Sequence, residues 1–302
     1  MSANLSRRRW LAAAALLPAA FALPRAGRAA SRRIVCAGGA MTECVFALGH
    51  GPEVVAVDTT SLYPAAVHAL PKIGYFRQLS VEGLLSLSPD LVLADRDAGP
   101  ASVLQQLGGA TNILRQFDGP LSPASVPDKM RFVAAALGEA GKGEEVAGDI
   151  AADMRTLADA VARVEVKPRT IFMLGTIRGR MAGRHTAADM VMAIAGAENL
   201  GDDFDGYRPL SAEGIVSLKP DVVLTMFQSN EMPVAGVDLA ARAAEDLGLA
   251  ELPDAARPRV IPIDGAALLA MGPRTAHAAY ALAAQLHPDL DWPSLPARPW
   301  VA

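Results

Sequence analysis

The sequence predicts two α/β lobes joined by a long helix, and three observations predict it. The stretch GYFRQLSVEGLLSLSPDLVLA at residues 74–94 returns as GYRPLSAEGIVSLKPDVVLT at residues 206–225. From Leu79 the copies align without a gap, 131 residues apart. Leu79/Leu210, Ser80/Ser211, Glu82/Glu213, Gly83/Gly214, Ser86/Ser217, Leu87/Leu218, Pro89/Pro220 and Asp90/Asp221 are identical pairs. A repeat of this length implies two related lobes. Around each copy, short apolar strands alternate with amphipathic segments, which implies parallel sheets covered on both faces. Between the copies lies an alanine-rich charged stretch, residues 128–166. In it Val146, Ile150, Met154, Leu157, Val161 and Val164 fall at spacings of three and four, one apolar helical stripe.

Residues 1–29 read as an export signal. Arg7-Arg8-Arg9 precede an apolar run at residues 10–23, which ends near Pro24 and the small residues Ala26-Gly27-Arg28-Ala29-Ala30. The paired arginines followed by an apolar residue are similar to the twin-arginine (Tat) type. Fourteen apolar residues interrupted by Pro18 are too few to span a bilayer comfortably, so the mature chain is expected to be soluble. Loss of the leader removes five of 28 basic residues and no acidic one, leaving 23 against 32, or about −9. That balance gives no support to a nucleic-acid partner, which would call for a basic face.

In the mature chain, residues 33–37 read as a strand, Gly38-Gly39 as a turn, and residues 41–48 as a helix. A second strand at residues 54–57, the first repeat copy, a helix near residues 101–107 and a strand around Ile113 complete an N-terminal lobe, residues 30–127. A helical linker, residues 128–167, follows; Gly138, Gly141 and Gly143 are expected to break it into two helices. A helix of some twenty residues is ~30 Å long, enough to act as a strut across two lobes. The C-terminal lobe, residues 168–302, restarts with a strand at residues 170–174 and a helix at residues 187–195. It passes through the second repeat copy and ends with a strand at residues 260–263 and a helix at residues 273–286. The leader and the Pro-rich tail at residues 293–299 read as disordered. Cys36 falls in the first strand and Cys44 in the next helix, a placement that favours two buried free thiols over a disulfide.

No catalytic set emerges. Gly38-Gly39 with Asp58 twenty residues on is the outline of a dinucleotide site, but Glu43 and Cys44 occupy the region of the third glycine. His50, His68, His185, His277 and His287 form no pair at metal-ligand spacing. There is no G-x-S-x-G elbow and no defensible nucleophile–base pair. What remains is a cleft between lobes. Asp58-Thr59-Thr60-Ser61-Leu62-Tyr63-Pro64 follows a strand, so it lies at the carboxyl end of a sheet, where open α/β sheets bind ligands. Tyr63, biased to an extended backbone by Pro64, either projects into that cleft or caps the core.

The segments RIVCAGGAMTECVFALG, DTTSLYP, LPKIGYFRQLSVEGLLSLSPDLVLA, GRHTAAD, GYRPLSAEGIVSLKPDVVLT and MGPRTAHA together resemble the periplasmic haem-binding proteins of bacterial haemin ABC importers. These are class III substrate-binding proteins of iron acquisition. The resemblance runs from about Arg33 to Leu286. It implies two Rossmann-like lobes bridged by a long helix, ferric haem as transported ligand, and no enzymatic reaction. It also implies a periplasmic monomer whose partner is an inner-membrane ABC permease dimer with its ATPase. The repeat itself is shared with siderophore- and corrinoid-binding relatives, so a ferric siderophore or a corrinoid on the same scaffold is the alternative.

By the same resemblance, the iron ligand falls on Tyr63 in DTTSLYP. A phenolate is a hard anionic donor suited to ferric iron; the iron itself draws off the phenol proton, and Arg77 is the candidate for a nearby cation that assists it. His185 is a candidate second ligand, with Arg184 beside it for a propionate. Many relatives carry an arginine shortly after the second repeat's strand, where this chain has Met226-Phe227-Gln228; Met226, Phe227 and Met232 would instead give an apolar wall for a porphyrin. The glutamates of the two repeat copies, Glu82 and Glu213, match those that meet arginines on the two permease subunits. Each also stands where an acid favours the start of a helix.

Overall fold

The computed structural model describes residues 32–111, 113–177, 179–227 and 237–301; the expected leader lies outside the described residues. The N-terminal lobe runs β1 (Ile34–Ala37), α1 (Gly39–Ala47), β2 (Val54–Val57), α2 (Val81–Ser86), β3 (Leu91–Ala94), α3 (Ala101–Thr111) and β4 (Leu114–Gln116). Its four strands are all parallel, in the order β2-β1-β3-β4. Every residue of β1 and β3 is buried, as continuous apolar runs require of strands covered on both faces.

Two helices connect the lobes, α4 (Ser125–Leu137) and α5 (Ala140–Val161). The break falls at Gly138, whose left-handed φ of 82° ends α4; Gly141 and Gly143 lie inside α5. At 22 residues, α5 is about 33 Å long. Its stripe of Val146, Ile150 and Leu157 is buried. It packs on α4, which leans on α1, and on helices of the C-terminal lobe, so one hydrophobic core runs through both lobes.

The C-terminal lobe runs β5 (Arg169–Leu174), β6 (Arg180–Ala182), α6 (Ala187–Ile194), β7 (Glu198–Asn199), β8 (Tyr207–Pro209), α7 (Ala212–Leu218), β9 (Val222–Phe227), α8 (Leu239–Asp246), β10 (Arg259–Asp264), α9 (Gly265–Leu269) and α10 (Thr275–Leu286). The strand order is β10-β9-β5-β6-β8, with β7 also on β5. The expectation of parallel sheets holds for β10, β9 and β5 but not for β6 and β8. Here β5 turns straight back into β6 instead of feeding a crossover helix, and a strand joined that way can only pair antiparallel.

The repeat folds into one frame built twice. In the first copy the Arg33 guanidinium donates to the carbonyls of Leu87 and Ser88 at 2.8 and 3.2 Å, while its backbone N–H donates to Asp90 Oδ2 at 2.8 Å. In the second, Arg169 donates to Leu218 and Lys219 at 3.0 Å each, and its N–H to Asp221 Oδ2 at 2.8 Å. The arginine thus caps the otherwise unpaired carbonyls of the repeat helix. At the other end of that helix, Ser80 and Ser211 each accept from the N–H three residues on, at 3.3 Å.

The tail is ordered, contrary to expectation. Arg298 reaches α5, donating to both carboxylate oxygens of buried Asp153 at 2.9 Å and pairing with Asp149 at 2.8 Å. Trp292 packs edge-on against Tyr280 of α10. Proline content hides these anchors, because a charged pair and an aromatic contact hold the strap whatever its propensity. Cys36 and Cys44 are buried and free, as expected. Burial pushes the Cys36 thiol up to about 12 and Cys44 well above its ordinary range.

Candidate functional site

The carboxyl ends of the two sheets meet at one seam. From the N-terminal side come the ends of β1, β2 and β3: Gly38, Asp58 and Asp95. From the C-terminal side come the end of β10 and residues 270–274 before α10. Lys129 on α4 ties them together, donating to Asp95 Oδ2 at 2.9 Å and to the Ala270 carbonyl at 3.1 Å. Gly272 lets the lobes approach closely at this point. A Cβ there would stand 3.1 Å from Glu43 Oε2 and 3.3 Å from the Ala40 backbone.

Asp58 is a loop organiser rather than a ribose-binding acid. It is fully buried, and it accepts from Gly38 N–H at 3.0 Å, Thr60 N–H at 2.8 Å and the Ser61 hydroxyl at 2.6 Å. Those bonds, with Lys72 Nζ donating to the Ser61 carbonyl at 3.2 Å, fix the turn that presents Tyr63. The Tyr63 ring is half-buried, and its face is covered by a guanidinium from the opposite lobe: Arg274 lies 3.9 Å from the ring centroid. Arg274 donates to Glu43 at 2.7 Å and lies 3.8 Å from Asp264. Burial raises the Tyr63 phenol above its usual range; Arg274 opposes that and Glu43 adds to it.

Arg77, the expected cation for Tyr63, serves another tyrosine. It donates to the Tyr75 hydroxyl at 3.1 Å and to Asp97 at 2.9 Å, with Phe76 beneath it. This corrects the expectation, and Arg274 is the cation at Tyr63. Tyr75 is 38% exposed. Across the cleft stands Tyr207, raised by burial, hydrogen-bonded with Thr186, and within electrostatic reach of both Arg77 and Tyr75. The GY segments at the head of the two repeat copies therefore face each other from opposite lobes.

His185 is held at the surface beside Asp205. Its side chain is 80% exposed, and its Nδ1 pairs with Asp205 at 3.1 Å, the carboxylate that Arg184 Nε also meets at 3.1 Å. Asp205 thus holds both side chains. Met226 and Phe227 end β9, half-buried beside Asp264 and Gly265, so they stand at the seam. Gln228 and Met232 lie outside the described residues. Glu82 and Glu213 are exposed in the first turns of α2 and α7. The Glu213 carboxyl is held below its ordinary range by its own backbone N–H and by Ser211.

Sequence reasoning missed Tyr75 and Arg274. Both sat within motifs already singled out, GYFRQLS and MGPRTAHA. The signal for Tyr75 was the GY shared by both repeat copies; Arg274 reveals itself only once the lobes are apposed.

This arrangement, two α/β lobes on a helical strut with tyrosines and arginines lining the cleft, is that of a substrate-binding protein. Residues 34–242 match the periplasmic binding protein family, and the chain belongs to it. It is similar to the periplasmic heme-binding protein RhuT from Roseiflexus sp. RS-1 in apo form: 36% identity, 85% of this chain and 98% of that one, TM-score 0.74. It is likewise similar to the periplasmic heme-binding protein BhuT in complex with two hemes: 39% identity, 84% and 97% coverage, TM-score 0.71. A vitamin B12-binding protein of Yersinia pestis is 29% identical over 214 residues, 70% of this chain and 75% of its own. The fold is thus that of the class III substrate-binding proteins, as expected. Among the described residues, no helix is long and apolar enough to cross a membrane.

Proposed function

We propose that this protein captures ferric haem between its lobes in the periplasm and delivers it to an inner-membrane ABC importer, acting by binding alone. The observation that carries this reading is the Tyr75–Arg77 pair at the cleft, opposite Tyr207. A phenol needs help to become a phenolate near neutral pH. A guanidinium donating to its oxygen stabilises the charged form, and ferric iron takes the place of the proton. The similarity to RhuT and BhuT supports haem in particular.

Tyr63, to which the motif resemblance points, shares this face of the lobe. Its ring face is covered by Arg274, whereas Tyr75 is 38% exposed and its hydroxyl accepts from Arg77, so the better-placed ligand is Tyr75. Arg184 is then the cation for a propionate, with Met226 and Phe227 as apolar wall. Glu82 and Glu213 are the docking residues for a twofold permease, and residues 1–29 are the Tat-like leader. A corrinoid is the second reading, supported by the B12-binding relative. Absorbance titrations of the purified protein with haemin and with cyanocobalamin separate the two. Haem is expected to saturate at one or two equivalents with a tyrosinate charge-transfer band; saturation by cyanocobalamin alone would overturn the assignment.

A further inference from the structure

The floor of the cleft holds a charged pair that the ligand reading leaves unused. Glu43 lies on α1 of the N-terminal lobe and Arg274 at the start of α10 of the C-terminal lobe, and they are only 5% and 8% exposed. Their 2.7 Å bond therefore crosses the seam in a buried setting. Such pairs are weak devices for stability, since desolvation offsets most of the attraction. Among the described residues, Glu43 Oε2 and Arg274 Nε also have no hydrogen-bond partner, so the pair is not even fully satisfied. What the geometry does achieve is specific. The guanidinium is gripped on one side by Glu43, has Asp264 nearby, and is laid flat against the Tyr63 ring.

We propose that Arg274 is a positioning residue of the ligand cleft: anchored by Glu43, it clamps the Tyr63 ring and ties the two lobes together at the floor. The floor is thereby set before the ligand enters, which lowers the ordering cost of binding. Removing the guanidinium releases the ring and loosens the seam that Lys129 and Gly272 also form. The inference rests on the haem reading for its functional consequence, but the clamp itself is testable without ligand.

The test compares Arg274→Met, Arg274→Lys and Glu43→Gln with Arg298→Met, which breaks another buried ion pair, on α5. Each protein is checked for native circular dichroism and titrated with haemin. Arg274→Met is expected to weaken binding at least tenfold and shift the Soret band, Arg274→Lys to recover part of the loss, and Arg298→Met to bind as wild type. In the ligand-free proteins, ultraviolet titration follows the Tyr63 phenol, its step identified by its absence in Tyr63→Phe. That step should move up in pH in Arg274→Met and down in Glu43→Gln. Wild-type affinity in Arg274→Met, or equal weakening in Arg298→Met, would overturn the positioning role. Should the wild-type protein bind no haem, the proposed function falls, and the phenol titration alone decides the clamp: opposite movements uphold it, and an unmoved step overturns it.

Discussion

The two lobes share a frame and differ in what they hang from it. Arg33 and Arg169 clasp the same two carbonyls of equivalent helices, Asp90 and Asp221 answer with the same backbone bond, and Ser80 and Ser211 cap the same N–H. Even Ser88 and Lys219, which correspond in the repeat, both take a left-handed φ, 45° and 49°. At the carboxyl ends of the sheets the likeness stops. Asp95 in the first lobe is held by Lys129 in a buried ion pair; the matching position in the second lobe is Met226. One lobe brings the Asp58 turn with Tyr63, then Tyr75 and Arg77; the other brings an antiparallel hairpin edge and Tyr207. The repeat keeps the machinery that holds a lobe together and presents an acid at its surface, while the ligand-facing end has diverged.

That contrast can be broken in a graded way. The largest asymmetry is expected at Asp95 and Met226. Lys129→Met leaves Asp95 buried without its partner and should cost about 3–5 kcal/mol. Met226→Ala, at a half-buried position, should cost about 1–2 kcal/mol. Urea unfolding measures both, and equal losses would show that the seam does not depend on the ion pair. Next come the clasps, where symmetry predicts matched effects. Arg33→Ala and Arg169→Ala should each cost about 1 kcal/mol, the exposure of both side chains reducing the usual worth of a charged hydrogen bond. The caps follow: Ser80→Ala and Ser211→Ala, about 0.5–1 kcal/mol each. A clear inequality within either pair would mean that one copy has been taken over by a lobe-specific role.

Near neutral pH the smallest effect concerns Cys36 and Cys44. With both thiols raised by burial, neither should react with a thiol reagent at pH 8 until the protein is denatured, when two equivalents appear. The sign of the linkage follows. A thiol whose folded pKa lies above the unfolded value favours the folded state least at high pH. Stability should therefore fall as pH rises through the unfolded range near 9 and on toward the folded value of about 12 for Cys36. Labelling of the native protein at pH 8 would contradict the buried placement.

Much of this frame was legible in the sequence because it is local. The repeat, the apolar strands and the stripe of α5 each read from spacing alone. So did the helical register of Cys44 and the break near Gly138. What was not legible depends on residues meeting across the chain. Arg77 was assigned to Tyr63, fourteen positions away, when a neighbour two positions away, Tyr75, receives its hydrogen bond. Arg274 reaches Glu43 over 231 residues, and no periodicity announces such a meeting. The tail read as disordered because composition shows its prolines and conceals the bond from Arg298 to Asp153, 145 residues distant. The hairpin of β5 and β6 was hidden because an apolar strand looks the same whether its neighbour runs parallel or antiparallel.

The most direct test of the account is a haemin titration of Tyr75→Ala beside Tyr63→Ala, followed by absorbance. The account predicts that Tyr75→Ala loses the tyrosinate charge-transfer band and at least a hundredfold in affinity, whereas Tyr63→Ala keeps the band and binds more weakly. The reverse pattern, with the band lost only in Tyr63→Ala, would contradict it and return the iron to the inner tyrosine beneath Arg274.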